Sequence, residues 1–185
     1  QPASVERSAG TVTTLPSPAA EGSAEPNLTT DRRGAVWMSW LEPRPGGGHR
    51  FRISRLTGTS WSAPITVAEG TNFMANWADF PSLFIAADGT MAAHWLERGA
   101  SRAAYFVRVR TSRDAGATWS ATITPHKDES ASEHGFVSFF DAPGGGVGLV
   151  WLDGREMAGG SHAAGATTHR GSMTLRSTII RNGAA

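Results

Sequence analysis

Three carboxylates and four further side chains carry most of the chemistry open to this sequence. Asp79, Asp153 and Glu97 are the candidates for acid and base work, because two carboxyl groups held on either side of one bond can deliver and withdraw protons. Trp77, Arg98, His134 and Arg155 are the candidates for binding. Carboxylates and guanidinium groups satisfy hydroxyls while an indole covers an apolar ring face, and this combination commonly holds sugars. Asp79 and Asp153 form the favoured catalytic pair, with Glu97 third. Asp79, Trp77 and His134 have no periodic counterpart elsewhere in the chain, which makes them the better functional candidates. Glu97 and Asp153 belong to a recurring series, which reads first as blade architecture, with the acid and the arginine that follows it as a repeated ion pair or backbone clamp.

That series defines the elements that must position the site. Trp40-Leu41-Glu42, Trp95-Leu96-Glu97 and Trp151-Leu152-Asp153 recur at a spacing of about 55 residues, each followed closely by arginine: Arg44, Arg98 and Arg155. Pro26-Asn27-Leu28, Pro81-Ser82-Leu83 and Val137-Ser138-Phe139 keep the same offsets upstream. Within each copy short apolar runs alternate with turn signals, among them Asp31-Arg32-Arg33-Gly34 and Asp88-Gly89. Such turns need positive φ, and each copy reads as strand, turn, strand, long loop, strand, turn, strand. In the second copy these strands are 82–86, 91–96, 105–111 and 121–125. The third stops before its fourth strand.

Four antiparallel strands make one blade, and blades bury their faces only against neighbours. The fold class is therefore all-β: a β-propeller of four-stranded blades at about 26–70, 71–130 and 131–185. A leader rich in Ala, Ser, Thr, Pro and Glu covers 1–25. Three blades do not close a ring. The chain then reads as the N-terminal portion of a six-bladed protein, as a protomer completed by self-association, or as an open sandwich.

Composition sets the outer bounds. Of 185 residues, 39% are hydrophobic and 18% charged, with 22 glycines, 10 prolines and seven tryptophans, which suits a turn-rich β core. No apolar run is long enough for a membrane span. At net charge +1 the chain lacks the basic stripe that nucleic-acid binding uses. With no cysteine there is no disulfide and no thiolate metal site. No cofactor and no metal are assigned. His162 and His169, in the glycine-rich loop 154–171, lack a compact ligand spacing.

One motif carries a family resemblance. Ser112-Arg113-Asp114-Ala115-Gly116-Ala117-Thr118-Trp119 fits the neuraminidase repeat, or Asp box, at every fixed position, and Ser54, Gly58 and Trp61 form a degenerate copy. Its logic is local: aspartate accepts turn amides, glycine supplies the backbone angle, and tryptophan covers the hairpin. With the strings at 76–83, 94–99, 133–140, 151–155 and 173–177, the chain resembles the bacterial exo-α-sialidase-like group of the sialidase superfamily. The resemblance covers about 26–180. It implies an exported glycan-handling propeller, extracellular or periplasmic, with its site on the face opposite the Asp boxes. The departures are chemical. Where sialidases carry the first arginine of a carboxylate-binding triad, Asp79-Phe80-Pro81 stands instead, and a carboxylate there repels sialate. The tyrosine–glutamate nucleophile pair of that family has no counterpart by position, and Tyr105 reads as packing.

Two functions follow as expectations. One is glycoside processing by a catalytic set shared with a C-terminal half. The other is a noncatalytic module that binds carbohydrate or protein partners.

Overall fold

The structure, a computed structural model, describes residues 10–101, 104–128, 130–157, 171–183 and 185. Among the described residues it is all-β, with a single 3-10 turn at Arg155–Met157. Three antiparallel sheets follow one another along the chain as successive blades of an incomplete β-propeller. Blade 1 contains β1 (Ala24–Thr30), β2 (Val36–Pro43) and β3 (His49–Thr57). Its outer position is shared by β4 (Ser60–Trp61) and β5 (Ile65–Gly70), both paired with β3. Blade 2 contains β6 (Ser82–Ile85), β7 (Met91–Arg98) and β8 (Tyr105–Ser112). Blade 3 contains β9 (His134–Asp141), β10 (Val147–Asp153) and β11 (Thr174–Ile180).

The strand expected at 121–125 contracts to one bridge, Val109 to Ile123. Side chains also bridge these segments: Arg108 and Arg110 donate to the Thr124 and Thr122 hydroxyls, as Arg52 does to Thr66 between β3 and β5. Blade 3 has three strands among the described residues. His162 and His169 lie outside them.

Burial explains the strand patterns. β8 alternates, with Tyr105, Val107, Val109 and Thr111 buried and Phe106, Arg108 and Arg110 half-buried, as expected for a strand with one apolar face. β7 is different. Met91 to Leu96 are all buried, because the middle blade is covered on both sides, and Ala92 and Ala93 let the neighbouring sheets approach. One core joins blades 1 and 2 through Trp37, Leu41, Phe51, Ile53, Leu83, Met91 and Trp95. A second joins blades 2 and 3 through Leu96, Val107, Val109, Leu149, Trp151 and Ile180. Arg110 crosses the first boundary: its Nη1 donates to the Val67 carbonyl at 2.9 Å while its guanidinium lies 5.8 Å from the Trp95 ring centroid.

At the far end of β8 the Ser112–Trp119 turn is tied by side chains. Asp114 Oδ1 accepts the Ser112 hydroxyl at 2.7 Å and the Thr118 amide at 2.8 Å, and Oδ2 accepts the Thr118 hydroxyl at 2.5 Å. Gly116 turns at φ 87°, and a Cβ there would press on Ile53 Cδ1 at 3.3 Å. Trp119 packs against the core of blades 1 and 2.

Truncation of Leu149, fully buried between blades, to alanine is expected to cost about 2–5 kcal/mol in urea unfolding, against under about 0.5 kcal/mol for Leu175→Ala, which is 70% exposed. The Thr118 hydroxyl and amide, with the Ser112 hydroxyl, hold the Asp114 carboxyl down to about 2. Its contribution to stability is present above the ordinary carboxylate range and is lost as pH falls through that depressed value. Melting of Asp114→Ala against wild type across acid pH measures it.

Candidate functional site

Antiparallel pairing brings the starts of the inner strands β1, β6 and β9, the ends of β2, β7 and β10, and the loops between blades to one face. Each inner strand start presents an acid: Glu25 in β1, Asp79 just before β6, and Glu133 just before β9.

Two of these strands begin with the same irregularity. In β1, Glu25 and Pro26 stand opposite the single residue Trp40; in β9, Phe136 and Val137 stand opposite Trp151. Each is a β-bulge, and its first residue takes positive φ: 58° at Glu25 and 54° at Phe136. For residues other than glycine this costs about 1–3 kcal/mol apiece, a strain found mostly where a side chain or amide must be aimed. The Phe136 amide is aimed at Asp79, donating to Oδ2 at 2.9 Å. Asp79 is 4% exposed. A Cβ on Gly135 would overlap its Oδ2, so only glycine leaves room for the carboxylate.

Electrostatics couple the acids. Burial pushes Asp79 above the usual carboxylate range, against the pull of the Phe136 amide. Burial likewise pushes Glu25 up; the Asn76 amide pulls it down and the charge on Asp79 adds to the rise. Glu25 Oε2 is buried without a hydrogen-bond partner among the described residues. Tyr105 donates to Glu133 Oε2 at 3.4 Å, and burial, with the negative charges of Glu133 and Asp79, pushes its hydroxyl well above the usual phenol range. That phenol is a neutral donor. Around this group lie exposed aromatics: Trp77, 88% exposed in the turn closed by Asn76, then Phe80 and Phe136.

The other sequence candidates form a second network. Asp153 is fully buried; its carboxylate accepts the Trp151 indole at 2.9 Å and Arg155 Nε and Nη2 at 2.7 and 2.8 Å. Burial pushes this carboxyl up, but the Arg155 guanidinium and the Trp151 indole outweigh it and hold the group well below the usual range. His134 Nδ1–H donates to the Tyr105 carbonyl at 3.2 Å, and Nε2 lies 3.0 Å from Asp128 Oδ2 and 3.7 Å from Asp153 Oδ2. His126 stacks on His134 with ring centroids 4.0 Å apart. Glu97 repeats the pattern one blade earlier, accepting the Trp95 indole at 3.0 Å and Arg108 at 2.9 Å. Arg98 is exposed at the end of β7.

Ligand atoms of Asp128, His134 and Asp153 lie within 4.8 Å of one another. Arg155 Nε, at 2.7 Å from Asp153 and 3.9 Å from Asp128, already supplies positive charge there, so the group works as a clamp with an arginine at its centre.

No family model and no curated protein sequence matches the chain. Known structures do. The fold is similar to that of two arabinanases. The endo-arabinase from Bacteroides thetaiotaomicron superposes with a TM-score of 0.55 at 12% identity, over 88% of this chain and 58% of that one. The Penicillium chrysogenum α-L-arabinanase complexed with arabinobiose superposes with a TM-score of 0.51 at 16% identity, over 89% of this chain and 48% of that one. The chain thus spans about half the length of these propellers. The likeness is one of backbone.

Sequence reasoning placed Asp79 and Trp77 on this face. It missed Glu25, His126 and Asp128. Glu25 lay in a segment assigned to the leader, although it directly precedes the Pro-Asn-Leu landmark, where Phe80 and Phe136 precede theirs.

Arg155→Ala, which removes two charge-assisted bonds and leaves the buried Asp153 carboxylate to the Trp151 indole and Arg176, is expected to cost about 2 kcal/mol at neutral pH in chemical unfolding. The ion pair stabilises above the ordinary carboxylate range and fades as pH falls through the depressed Asp153 value, so the gap between wild type and variant narrows in acid.

Proposed function

We propose that the face holding Asp79, Glu25 and Glu133 handles a glycan and acts on a glycosidic bond. The observation that carries this reading is Asp79: a buried carboxyl, raised by desolvation, beside a second raised carboxyl and beneath exposed aromatics. A raised carboxyl keeps its proton for a leaving oxygen, which is the role of a general acid. Glu25 and Glu133 are the carboxylates placed to supply the complementary base or nucleophile. Trp77, Phe80 and Phe136 offer the flat apolar surfaces on which sugar rings stack. The similarity of fold to two arabinanases supports the reading and directs the first substrates to neutral pentose polymers. Sialate is the poorer fit, because a carboxylate stands where an arginine would hold it. An extracellular or periplasmic setting goes with polymeric glycans.

A module that binds sugar without turnover is the second reading. It is favoured by the bonding of Glu97 and Asp153, which commits two of the three sequence-nominated carboxylates to structural clamps.

Neutral and acidic oligosaccharides are to be titrated calorimetrically and incubated for product. Asp79→Asn is expected to lower turnover at least about 100-fold, as for loss of a general acid. It is also expected to raise the melting point near neutral pH. The sign follows from the raised carboxyl: its stabilising contribution is complete below the unfolded value and is lost as pH rises through the folded one, and the amide removes that loss. Binding with no product in wild type selects the second reading. Loss of stability in Asp79→Asn would make this residue structural.

A further inference from the structure

The opposite face carries a different chemistry. The β1–β2 turn, the end of β3, the β6–β7 turn and the start of the Ser112–Trp119 turn enclose a cavity of about 570 Å³ between blades 1 and 2. Four arginines line it: Arg32, Arg33, Arg55 and Arg113. All four are exposed, and among the described residues none has a carboxylate within ion-pair distance. Among the described residues Arg113 donates only to the Asn182 side chain, at 3.2 Å.

Two acids lie in the same wall, each anchored by turn amides through one oxygen, and their charges offset two of the four arginines. Asp31 Oδ1 accepts the Arg33 and Ala35 amides at 2.8 and 2.9 Å, and Asp88 Oδ1 accepts the Thr90 amide at 2.9 Å. These bonds shape the turns and leave the guanidinium forks to face solvent. Beneath them Trp37 and Met91 form an apolar floor. Trp37 is 6% exposed, and its indole Nε1 has no hydrogen-bond partner among the described residues.

We propose that this cavity binds oxyanion groups, carboxylate or sulfate, borne on a glycan chain. Guanidinium forks match planar carboxylates and sulfate edges bidentately. A volume of this size takes one or two sugar rings, and an apolar floor suits them. Four arginines in one concavity, in a chain of net charge +1, do not form the stripe that tracks a nucleic-acid backbone. The choice of a glycan as carrier rests on the function proposed for the other face; the oxyanion chemistry does not.

The test titrates the full chain with sulfated dextran oligomers, oligogalacturonate and neutral dextran at low and moderate salt. At least one acidic series is expected to bind with affinity that falls as salt rises, and neutral dextran is expected not to bind; which series binds identifies the anion. The double variant Arg55→Ala/Arg113→Ala is expected to bind at least about tenfold more weakly, as for loss of two charge-assisted contacts. Its melting point is expected to match wild type. Asp79→Asn, and Arg44→Ala as a charge control on the other face, are expected to keep full affinity. No binding by either acidic series, or equal weakening by Arg44→Ala and the double variant, overturns the proposal. If Asp79→Asn leaves glycan turnover intact while the double variant loses acidic-glycan binding, the reading of the axial face fails and the cavity stands.

Discussion

The structure rests on an acid pinned between two strands in each blade. The acid at the end of the second strand lies beside an arginine of the third: Glu42 with Arg52 at 3.8 Å, Glu97 with Arg108 at 2.9 Å, Asp153 with Arg176 at 3.7 Å. Each arginine is the register partner of the blade's tryptophan. In blades 2 and 3 the indole N–H of that tryptophan closes the unit by donating to the acid. In blade 1 the buried Trp40 N–H has no partner among the described residues; what all three blades require is donors for the acid, and the third strand supplies an arginine. The repeat in the sequence is the trace of this requirement.

The inner strands of blades 1 and 3 share one irregularity: the bulge stands directly opposite the tryptophan of the second strand, Trp40 or Trp151, and its first residue turns through positive φ. In blade 3 that detour points the Phe136 amide at Asp79 in the preceding connection. An irregularity within one blade thereby holds a buried carboxylate of the connection between blades.

Periodicity made the blades legible. A recurring Trp-Leu-acid string and turn signals gave strands whose edges moved by only a few residues, since apolar alternation and Asp-Gly turns are local effects. The contraction of the 121–125 strand to one bridge was not legible, since its Thr-Ile-Thr run is as compatible with a strand as the Ile-Thr-Val of β5. At the site, Asp79 stood out by lacking a periodic counterpart. Glu25 did not, since a glutamate at positive φ leaves no signature in composition. The sequence also assigned the clamp its nearest arginines, Arg44, Arg98 and Arg155. Only Arg155 bonds the acid of its own string; the recurring partner comes from the neighbouring strand, which linear spacing does not reveal.

Arg110 has a wider consequence. With one guanidinium it holds a carbonyl of β5, a hydroxyl beyond β8 and the face of Trp95. Blade 1 therefore cannot peel from blade 2 by shedding apolar contacts alone; it must also break a hydrogen bond and a cation–π contact and exchange them for water. Partial opening at that seam is disfavoured, so the two sheets behave as one cooperative unit, and slow amide exchange is shared across their boundary instead of ending at it.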